Sequence, residues 1–130
     1  MAYGKIVADQ IQHSSEGTVG TQYVVNGVPK AWLKYNQATP GVDNSLNVST
    51  VTDNATAQYT INFTSSWANI NYTNTTGGSY NGSDATAGSA FGPRHQTPTT
   101  SAQIMVAVYG NAGAALDWVS NETSHNGDLA

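Results

Sequence analysis

Apolar residues alternate with small neutral polar residues along much of this chain, and that alternation limits the fold more than any other feature. Tyr59, Ile61 and Phe63 are separated by threonine and asparagine. A period of two places the apolar side chains on one face of a strand and the polar side chains on the other. The pattern therefore predicts half-buried strands, in which one face packs in a core and the other is polar but uncharged.

A similar run precedes this strand, so residues 45–64 together predict a β-hairpin. Leu46 and Val48 alternate with polar residues, and the phase changes at Val51, which indicates a bulge or the end of the strand there. Asp53 and Asn54 lie between the two runs. Because such side chains bond to their own backbone and tolerate left-handed conformations, we expect the hairpin turn at this dipeptide.

Further alternating segments extend the all-β prediction to the rest of the chain. Residues 22–36 predict two short strands separated by an Asn26-Gly27 turn, and shorter runs predict strands near 70–72 and at 116–119. Residues 102–109 are apolar on both faces, which places this strand centrally in a sheet or with one face at a subunit interface. The predicted fold class is all-β, an antiparallel β-sandwich in one domain.

Charged residues are scarce, and their scarcity narrows the range of partners. They make up 9% of the sequence, with a formal net charge of −4, whereas ordinary soluble proteins have about 25%. A basic surface for nucleic acid is therefore not expected, and no apolar run approaches the length of a membrane span. A chain that does not use charge for solubility is typical of a subunit whose surface is partly covered in an assembly.

Residues 75–100 consist mostly of turn-forming residues, and they predict one long loop. Loops of this length within a compact domain usually carry function or are disordered. Aromatic rings stack on sugars, while amides, carboxylates and guanidinium groups bind hydroxyl groups, so this loop is a candidate receptor-binding tip. An ordered loop packed on a neighbouring subunit is the alternative. The candidate binding residues are Tyr80, Asn81, Asp84, Phe91, Arg94 and His95.

Patterns for catalysis and metal binding are weak. His95 could act as a general base near Asp84, and Asp84 with Asp117 could form the carboxylate pair of a glycosidase, but their spacing favours neither role. The oxygen-rich turns at 81–84 and 125–128 do not match the spacing of a calcium loop. The absence of cysteine excludes disulfides and thiolate zinc sites. We therefore predict a non-enzymatic protein without a metal or cofactor.

Large side chains outside the predicted loop are candidates for the core or for a subunit interface. Tryptophan and tyrosine bury large areas in both settings, and the sequence does not distinguish between them. The candidates are Trp32, Trp67, Met105, Tyr109 and Trp118.

The chain resembles bacteriophage tail-fibre domains of the cyanophage and marine-phage type in two stretches, KAWLKYN at 30–36 and SLNVSTVTDNATAQYTINFTSSWANINYT at 45–73. Residues 4–27 also resemble the segment that precedes this domain in such proteins. One turn departs from the family pattern, with NATAQ at 54–58 where the family has NGTGD.

The resemblance implies a virion structural protein that forms homotrimers, most simply a short tail fibre that contributes to host attachment. Residues 1–28 would form an N-terminal arm that attaches to other virion proteins through Ile6, Val7 and Ile11, and residues 29–130 a β-sandwich carrying the loop at 75–100. The expected location is the virion, with a host cell-surface glycan as a further partner. A capsid decoration protein of the same fold is the first alternative, and a polysaccharide depolymerase is the second.

Overall fold

The computed structural model of this protein describes residues 7–15, 17–79, 90–109 and 114–130. These residues form eleven strands and one short helix, with the following bounds: β1 (Gln10–His13), β2 (Gly17–Gly20), α1 (Thr21–Gly27), β3 (Ala31–Asn36), β4 (Gly41–Leu46), β5 (Val48–Ala55), β6 (Gln58–Phe63), β7 (Thr73–Ser79), β8 (Ala90–Pro98), β9 (Ala102–Tyr109), β10 (Ala114–Ala115) and β11 (Ser120–Asn126).

Two antiparallel sheets make up most of the structure, in agreement with the predicted all-β sandwich. One sheet has four strands in the order β4-β3-β11-β7, and the other has five, in the order β10-β9-β6-β5 with β8 also paired to β9. The chain passes between these sheets after β4, β6, β7 and β10. A separate two-stranded sheet, β1-β2, precedes them.

The core lies between the inward faces of the two sheets. Buried residues alternate with more exposed ones along β3, and β6 shows the same alternation in the opposite sheet. Ring centroids of Tyr35 and Tyr59 lie 5.1 Å apart, and those of Phe63 and His125 lie 5.4 Å apart, so the layers meet through aromatic contacts. The alternation predicted for both strands is confirmed. The main cluster contains Ala31, Leu33, Tyr35, Tyr59, Ile61, Phe63, Trp67 and Met105.

Strand β9 lies inside the five-stranded sheet, as its two apolar faces predicted. It pairs with β8 along one side, and along the other side with β6 and, beyond the end of β6, with β10. Met105 is fully buried in the core, while Ile104 and Val106 on the opposite face are half-buried. The predicted central position is therefore confirmed.

The predicted β5-β6 hairpin is confirmed, but its turn lies at Thr56-Ala57 and not at Asp53-Asn54. Ala57 takes the left-handed conformation, with φ 64°. Its backbone N–H donates to the Asp117 carboxylate at 2.7 Å, and the Asn54 amide donates to the Thr60 hydroxyl at 2.7 Å across the hairpin. Because of these contacts the two strands continue past the predicted turn.

Asn47 separates two strands that the sequence suggested were one. It has φ 55°, and it lies between β4 in the four-stranded sheet and β5 in the five-stranded sheet. The expected irregularity near Val51 occurs slightly earlier, as a register shift between Val48 and Thr50. The change of phase in the sequence therefore reflects a transfer between layers followed by a bulge.

Residues Thr21–Gly27 form the helix α1, so the strand predicted in this segment is wrong. Valine and tyrosine favour strands, but no strand in the described part of the chain pairs with this segment. Its backbone forms local bonds instead, including one from Val28 N–H to the Val24 carbonyl at 3.3 Å. Local propensity was therefore overridden by the absence of a partner strand.

The prediction of one loop over 75–100 is wrong for the residues that β7 and β8 occupy. β7 pairs with β11, and β8 pairs with β9. The β8 ladder shifts register between Phe91 and Arg94 and again between Gln96 and Pro98. Proline is accommodated at such irregularities of a strand. Pro93 and Pro98 therefore lie within β8, although their presence in the sequence indicated a loop.

The last strand is β11, at Ser120–Asn126, and not the predicted strand at 116–119. Its inward side chains are polar: Asn121, Thr123 and His125 are buried. The Asn121 amide donates to the backbone carbonyls of Tyr35 at 3.3 Å and Trp118 at 3.2 Å, and the buried amide is thereby stabilised. Strand β11 was not predicted because the alternation of apolar residues was the signal for strands, and the buried side chains of β11 are polar.

Candidate functional site

Residues 7–15 and 17–28, the described part of the predicted arm at 1–28 and here called the arm, expose an unusual amount of apolar surface. Among the described residues, eleven large apolar side chains are exposed, and seven of them belong to the arm. Val7 is 82% exposed and Tyr23 is 67% exposed. Clustered exposed apolar side chains mark a surface that another molecule covers. The seven are Val7, Ile11, Val19, Tyr23, Val24, Val25 and Val28.

The arm has little internal support for its conformation. Its main packing contacts are those of β1 with β2 and of α1 with β2, and α1 contains no buried residue. The Thr21 hydroxyl donates to the Ala8 carbonyl at 2.8 Å, which fastens α1 to β1. Two-stranded hairpins and helices of two turns are marginal in water, so contact with another surface would stabilise the arm considerably.

Two of the three predicted attachment residues lie in this arm. Val7 precedes β1 and Ile11 lies within it, and both are exposed. Ile6 lies outside the described residues. Their role in attachment remains a prediction, and the arm also supplies exposed apolar residues that sequence reasoning did not select, Tyr23 and Val25 among them.

The predicted receptor-binding residues are divided between two settings. Tyr80, Asn81 and Asp84 lie outside the described residues. The other three belong to β8, where Phe91 pairs with Val108, Arg94 with Val106 and His95 with Met105. Their backbone is thus part of a sheet and not of a loop tip, and receptor binding by these residues remains a prediction.

The predicted core or interface residues are mostly core residues. Trp67, Met105 and Trp118 are almost completely buried within the single chain. Trp32 is half-buried, and Tyr109 ends β9, while its side chain lies outside the described part. Trp67 and Trp118 therefore need no partner subunit to be covered.

The outer face of the four-stranded sheet is polar and grooved. Strand register places Trp32 between Leu46 and Ser124, and Glu122 between Lys34 and Gly77. A cavity of about 300 Å³ lies where Gly77 has no side chain. This groove is lined by Thr75, Thr76, Gly77, Glu122, Thr123 and Ser124.

A second cavity, here called the polar pocket, has a volume of about 280 Å³. It lies between three segments: the end of α1, the crossover from β6 to β7, and residues that follow β11. Backbone bonds hold these segments together, since Lys30 N–H donates to the His125 carbonyl and Ala68 N–H to the Asp128 carbonyl, each at 2.8 Å. The pocket is lined by Asn26, Asn69, Asn71, Tyr72, Gly127 and Asp128.

Gly127 and Tyr72 line one part of the polar pocket, and Trp67 supports the Tyr72 ring without lining the pocket itself. Tyr72 stacks on buried Trp67, with ring centroids 4.7 Å apart and planes inclined by 21°. A Cβ atom on Gly127 would lie 2.8 Å from the Tyr72 Cβ, a distance that real side chains do not tolerate. Only glycine therefore lets the chain after β11 approach the aromatic pair this closely.

No family model, curated protein or solved structure matches the chain. The arrangement of its own residues is therefore the basis for the functional conclusions below.

Tyrosines near the core keep their protons well into the alkaline range. Burial raises the pKa of Tyr72 to about 12, and its hydroxyl donates to the Thr99 carbonyl at 3.1 Å. Burial, and next the negative charges of Asp53 and Asp117, raise the pKa of Tyr35. Burial followed by the neighbouring Tyr35 raises the pKa of Tyr59. All three act as neutral hydroxyl groups at physiological pH.

The carboxylates considered for catalysis have structural contacts or lie outside the described residues. Asp117 accepts the Ala57 N–H and so fixes the turn between β5 and β6. Asp84 lies outside the described residues. No group of three or more histidine, aspartate or glutamate side chains suited to a metal occurs in the described part, and no helix there is long and apolar enough to cross a membrane.

Proposed function

We propose that this chain is a structural protein of a bacteriophage particle, a short tail fibre that contributes to host attachment. The observation that carries the proposal is the exposed apolar surface of the N-terminal arm, which contrasts with the buried core of the sandwich. The arm attaches the chain to other virion proteins, and the sandwich faces outward. The resemblance of residues 4–73 to phage tail-fibre domains supports the same reading.

Burial of exposed apolar side chains would supply the free energy for attachment through the arm. Fully burying one valine or tyrosine-sized apolar side chain contributes roughly 1.5–3 kcal/mol, and Val7, Ile11, Tyr23 and Val25 are each at least half exposed. Contact with a virion protein would bury several of them at once. The same contact would order a hairpin and helix that have little packing of their own.

Self-association as a homotrimer is part of the proposal. A chain with so few charges relies on covered surface for solubility, and a three-chain assembly places three arms at one attachment point. Several copies also turn weak contacts with a host glycan into a strong one, because each later contact is intramolecular. The neutral serine, threonine and asparagine side chains of the outer faces suit such weak contacts.

The chain is proposed to act by binding and not by catalysis. Asp117, one of the two carboxylates that a glycosidase mechanism would need, is held by the Ala57 N–H. A depolymerase would release reducing sugar from host envelope polysaccharide, and we expect the purified chain to release none.

Localisation in purified particles tests the proposal. We expect antibody labelling or reconstruction to place the chain at the tail. Labelling across the shell would overturn the tail-fibre assignment and identify a capsid decoration protein instead. Absence from particles would overturn both.

Substitutions in the arm test attachment separately from folding. We expect Val7→Asp combined with Ile11→Asp to reduce incorporation into particles at least tenfold, since charge would oppose burial at the contact. Ile70→Asp is the matched control, because Ile70 is 56% exposed but lies on the sandwich. Equal incorporation of the arm variant and the control would contradict attachment through the arm.

A further inference from the structure

We infer that the polar pocket binds the ring of a neutral sugar. The pocket combines amide groups, one carboxylate and one aromatic ring, and these are the groups that a polyhydroxylated ring requires. Its lining residues belong to one chain, and one of them, Asn26, lies near the end of α1 in the arm. None of the lining residues in the described part of the chain lies in the segment 75–100 that the sequence favoured for receptor binding.

Hydrogen-bonding capacity remains unused around the rim. Asn69 accepts the Asn71 backbone N–H through its side-chain oxygen at 2.8 Å, which leaves its NH2 group available. In the described part of the chain, the side chains of Asn26, Asn71 and Asp128 have no hydrogen-bond partner. An amide both donates and accepts, and a carboxylate accepts only, so adjacent hydroxyl groups of one ring find partners of both kinds.

Tyr72 supplies the aromatic surface of the pocket. Its ring is fixed on one side by Trp67 and at its hydroxyl by the Thr99 carbonyl. It is half-buried and lines the pocket beside Gly127. A ring held in this way offers a rigid apolar contact to the C–H groups of a sugar, and the ligand pays little entropy cost to order it.

Other ligand classes fit the lining less well. Among the described residues, no lysine, arginine or histidine lines the pocket, so a phosphate or sulfate group would lack a countercharge there. One carboxylate is too few for calcium, which takes six to eight oxygen ligands. A single aromatic ring gives too little apolar surface for a lipid. The volume of about 280 Å³ lies near the lower end of small-ligand clefts, roughly 300–1,000 Å³, which suits one ring.

Saturation-transfer NMR on the full chain tests this inference. The ligands are the methyl glycosides of glucose, galactose, mannose and N-acetylglucosamine, together with glucose 6-phosphate as an anionic comparison. We expect transfer to the ring protons of at least one neutral glycoside and weaker transfer to the phosphate. Absence of transfer to all four neutral glycosides, or stronger transfer to glucose 6-phosphate, would overturn it.

Matched variants assign the signal to the pocket. We expect Asp128→Asn to weaken the affinity about tenfold, the usual effect of losing a hydrogen bond to a charged group, and Asn69→Ala to weaken it as well. Asp43→Asn removes the same charge from an exposed position on β4 and should bind like the unmodified chain. Circular dichroism would verify that all three variants are folded. Equal affinity of Asp128→Asn and Asp43→Asn would refute binding at the pocket.

Discussion

The absence of a single Cβ atom at certain glycines lets neighbouring segments of this protein pack closely. The absence of a side chain at Gly78 lets β7 lie against the chain around Trp118, and Gly127 serves the same purpose beside Tyr72. Gly77, the neighbour of Gly78, has open space where a Cβ would stand. Two adjacent glycines thus have different roles, one required by packing and one not.

Gly78→Ala should destabilise the protein by about 1–3 kcal/mol, the usual cost of overpacking. A Cβ at this position would lie 2.3 Å from the Ser120 carbonyl oxygen and 3.0 Å from Trp118 Cε3. Gly77→Ala is the control, and its effect should stay within about 0.5 kcal/mol, as at ordinary surface positions. Urea denaturation measures both free energies of unfolding. Similar losses in the two variants would show that the contacts of Gly78 do not set the spacing.

Alkaline pH should weaken the fold in a defined window. The pKa of Tyr72 is raised from 10.0 to about 12, so the folded state retains a proton that the unfolded state releases. Its contribution to stability is complete below pH 10 and is lost as pH rises from about 10 to about 12. The free energy of unfolding, measured by urea titration, should fall across this interval.

Tyr72→Phe provides the comparison for that pH dependence. Phenylalanine keeps the ring against Trp67 but has no ionisable hydroxyl, so the decline between pH 10 and 12 should become shallower. The pKa values of Tyr35 and Tyr59 are also raised, and some decline should remain. An unchanged slope in the variant would mean that Tyr72 ionises at the same pH in both states.

At the scale of elements, the sequence revealed strands by their apolar faces and failed where those faces were polar or irregular. β3 and β6 were predictable because each buries alternating apolar residues, and β9 was predictable because its sequence is apolar on both faces. β11 was not, because Asn121, Thr123 and His125 occupy its buried face. β8 was hidden by prolines at its register shifts, and α1 by valines that normally favour strands.

The polar pocket was not predictable for a related reason. Its residues come from three segments distant in sequence, and no periodic pattern connects Asn26, Asn69 and Asp128. Each alone is an ordinary turn residue. The one available signal was Gly127 near the end of β11, and its close contact with Tyr72 becomes visible only in three dimensions.

The transfer of the chain between sheets depends on Asn47, and two substitutions separate its roles. Its side chain accepts the Ser65 N–H at 2.7 Å and donates to the Ser65 carbonyl at 3.3 Å, while its φ is 55°. Asn47→Gly keeps the conformation and should cost about 1–2 kcal/mol through the lost hydrogen bonds. Asn47→Ala should cost roughly 1–2 kcal/mol more, because alanine resists the left-handed region. Equal thermal stability of the two variants would contradict a conformational role.

The whole molecule combines a well-packed sandwich with an arm that has almost no core. Among the described residues, the sandwich contains the buried aromatic and aliphatic side chains, and the arm contains seven of the eleven exposed large apolar side chains. The sandwich core therefore stabilises the fold, whereas association with other molecules is proposed for the arm. Charged residues make up only 9% of the sequence, so electrostatic repulsion between neighbouring copies is limited.

Hydrogen exchange should separate these two parts. In the isolated chain, we expect amides of the arm to exchange fastest and those of β6 and β9 slowest, because local opening costs least where few apolar contacts break. In purified particles the arm amides should become protected. Mass spectrometry of peptides covering residues 7–28 and 58–63 measures both. Equal protection of the two peptides in the isolated chain would contradict the weak packing of the arm.

The position of β3 has a mechanical consequence for a chain held by its arm. The arm leads directly into Ala31, the first residue of β3, and β3 is bonded to β4 on one side and β11 on the other. Tension on the arm therefore enters the sandwich along the axis of an interior strand. The two ladders resist it in shear, with many hydrogen bonds loaded together, whereas an edge strand pulled sideways would unzip one bond at a time. If the opposing force acts at the far end of β3, the load is shared by both ladders along their full length.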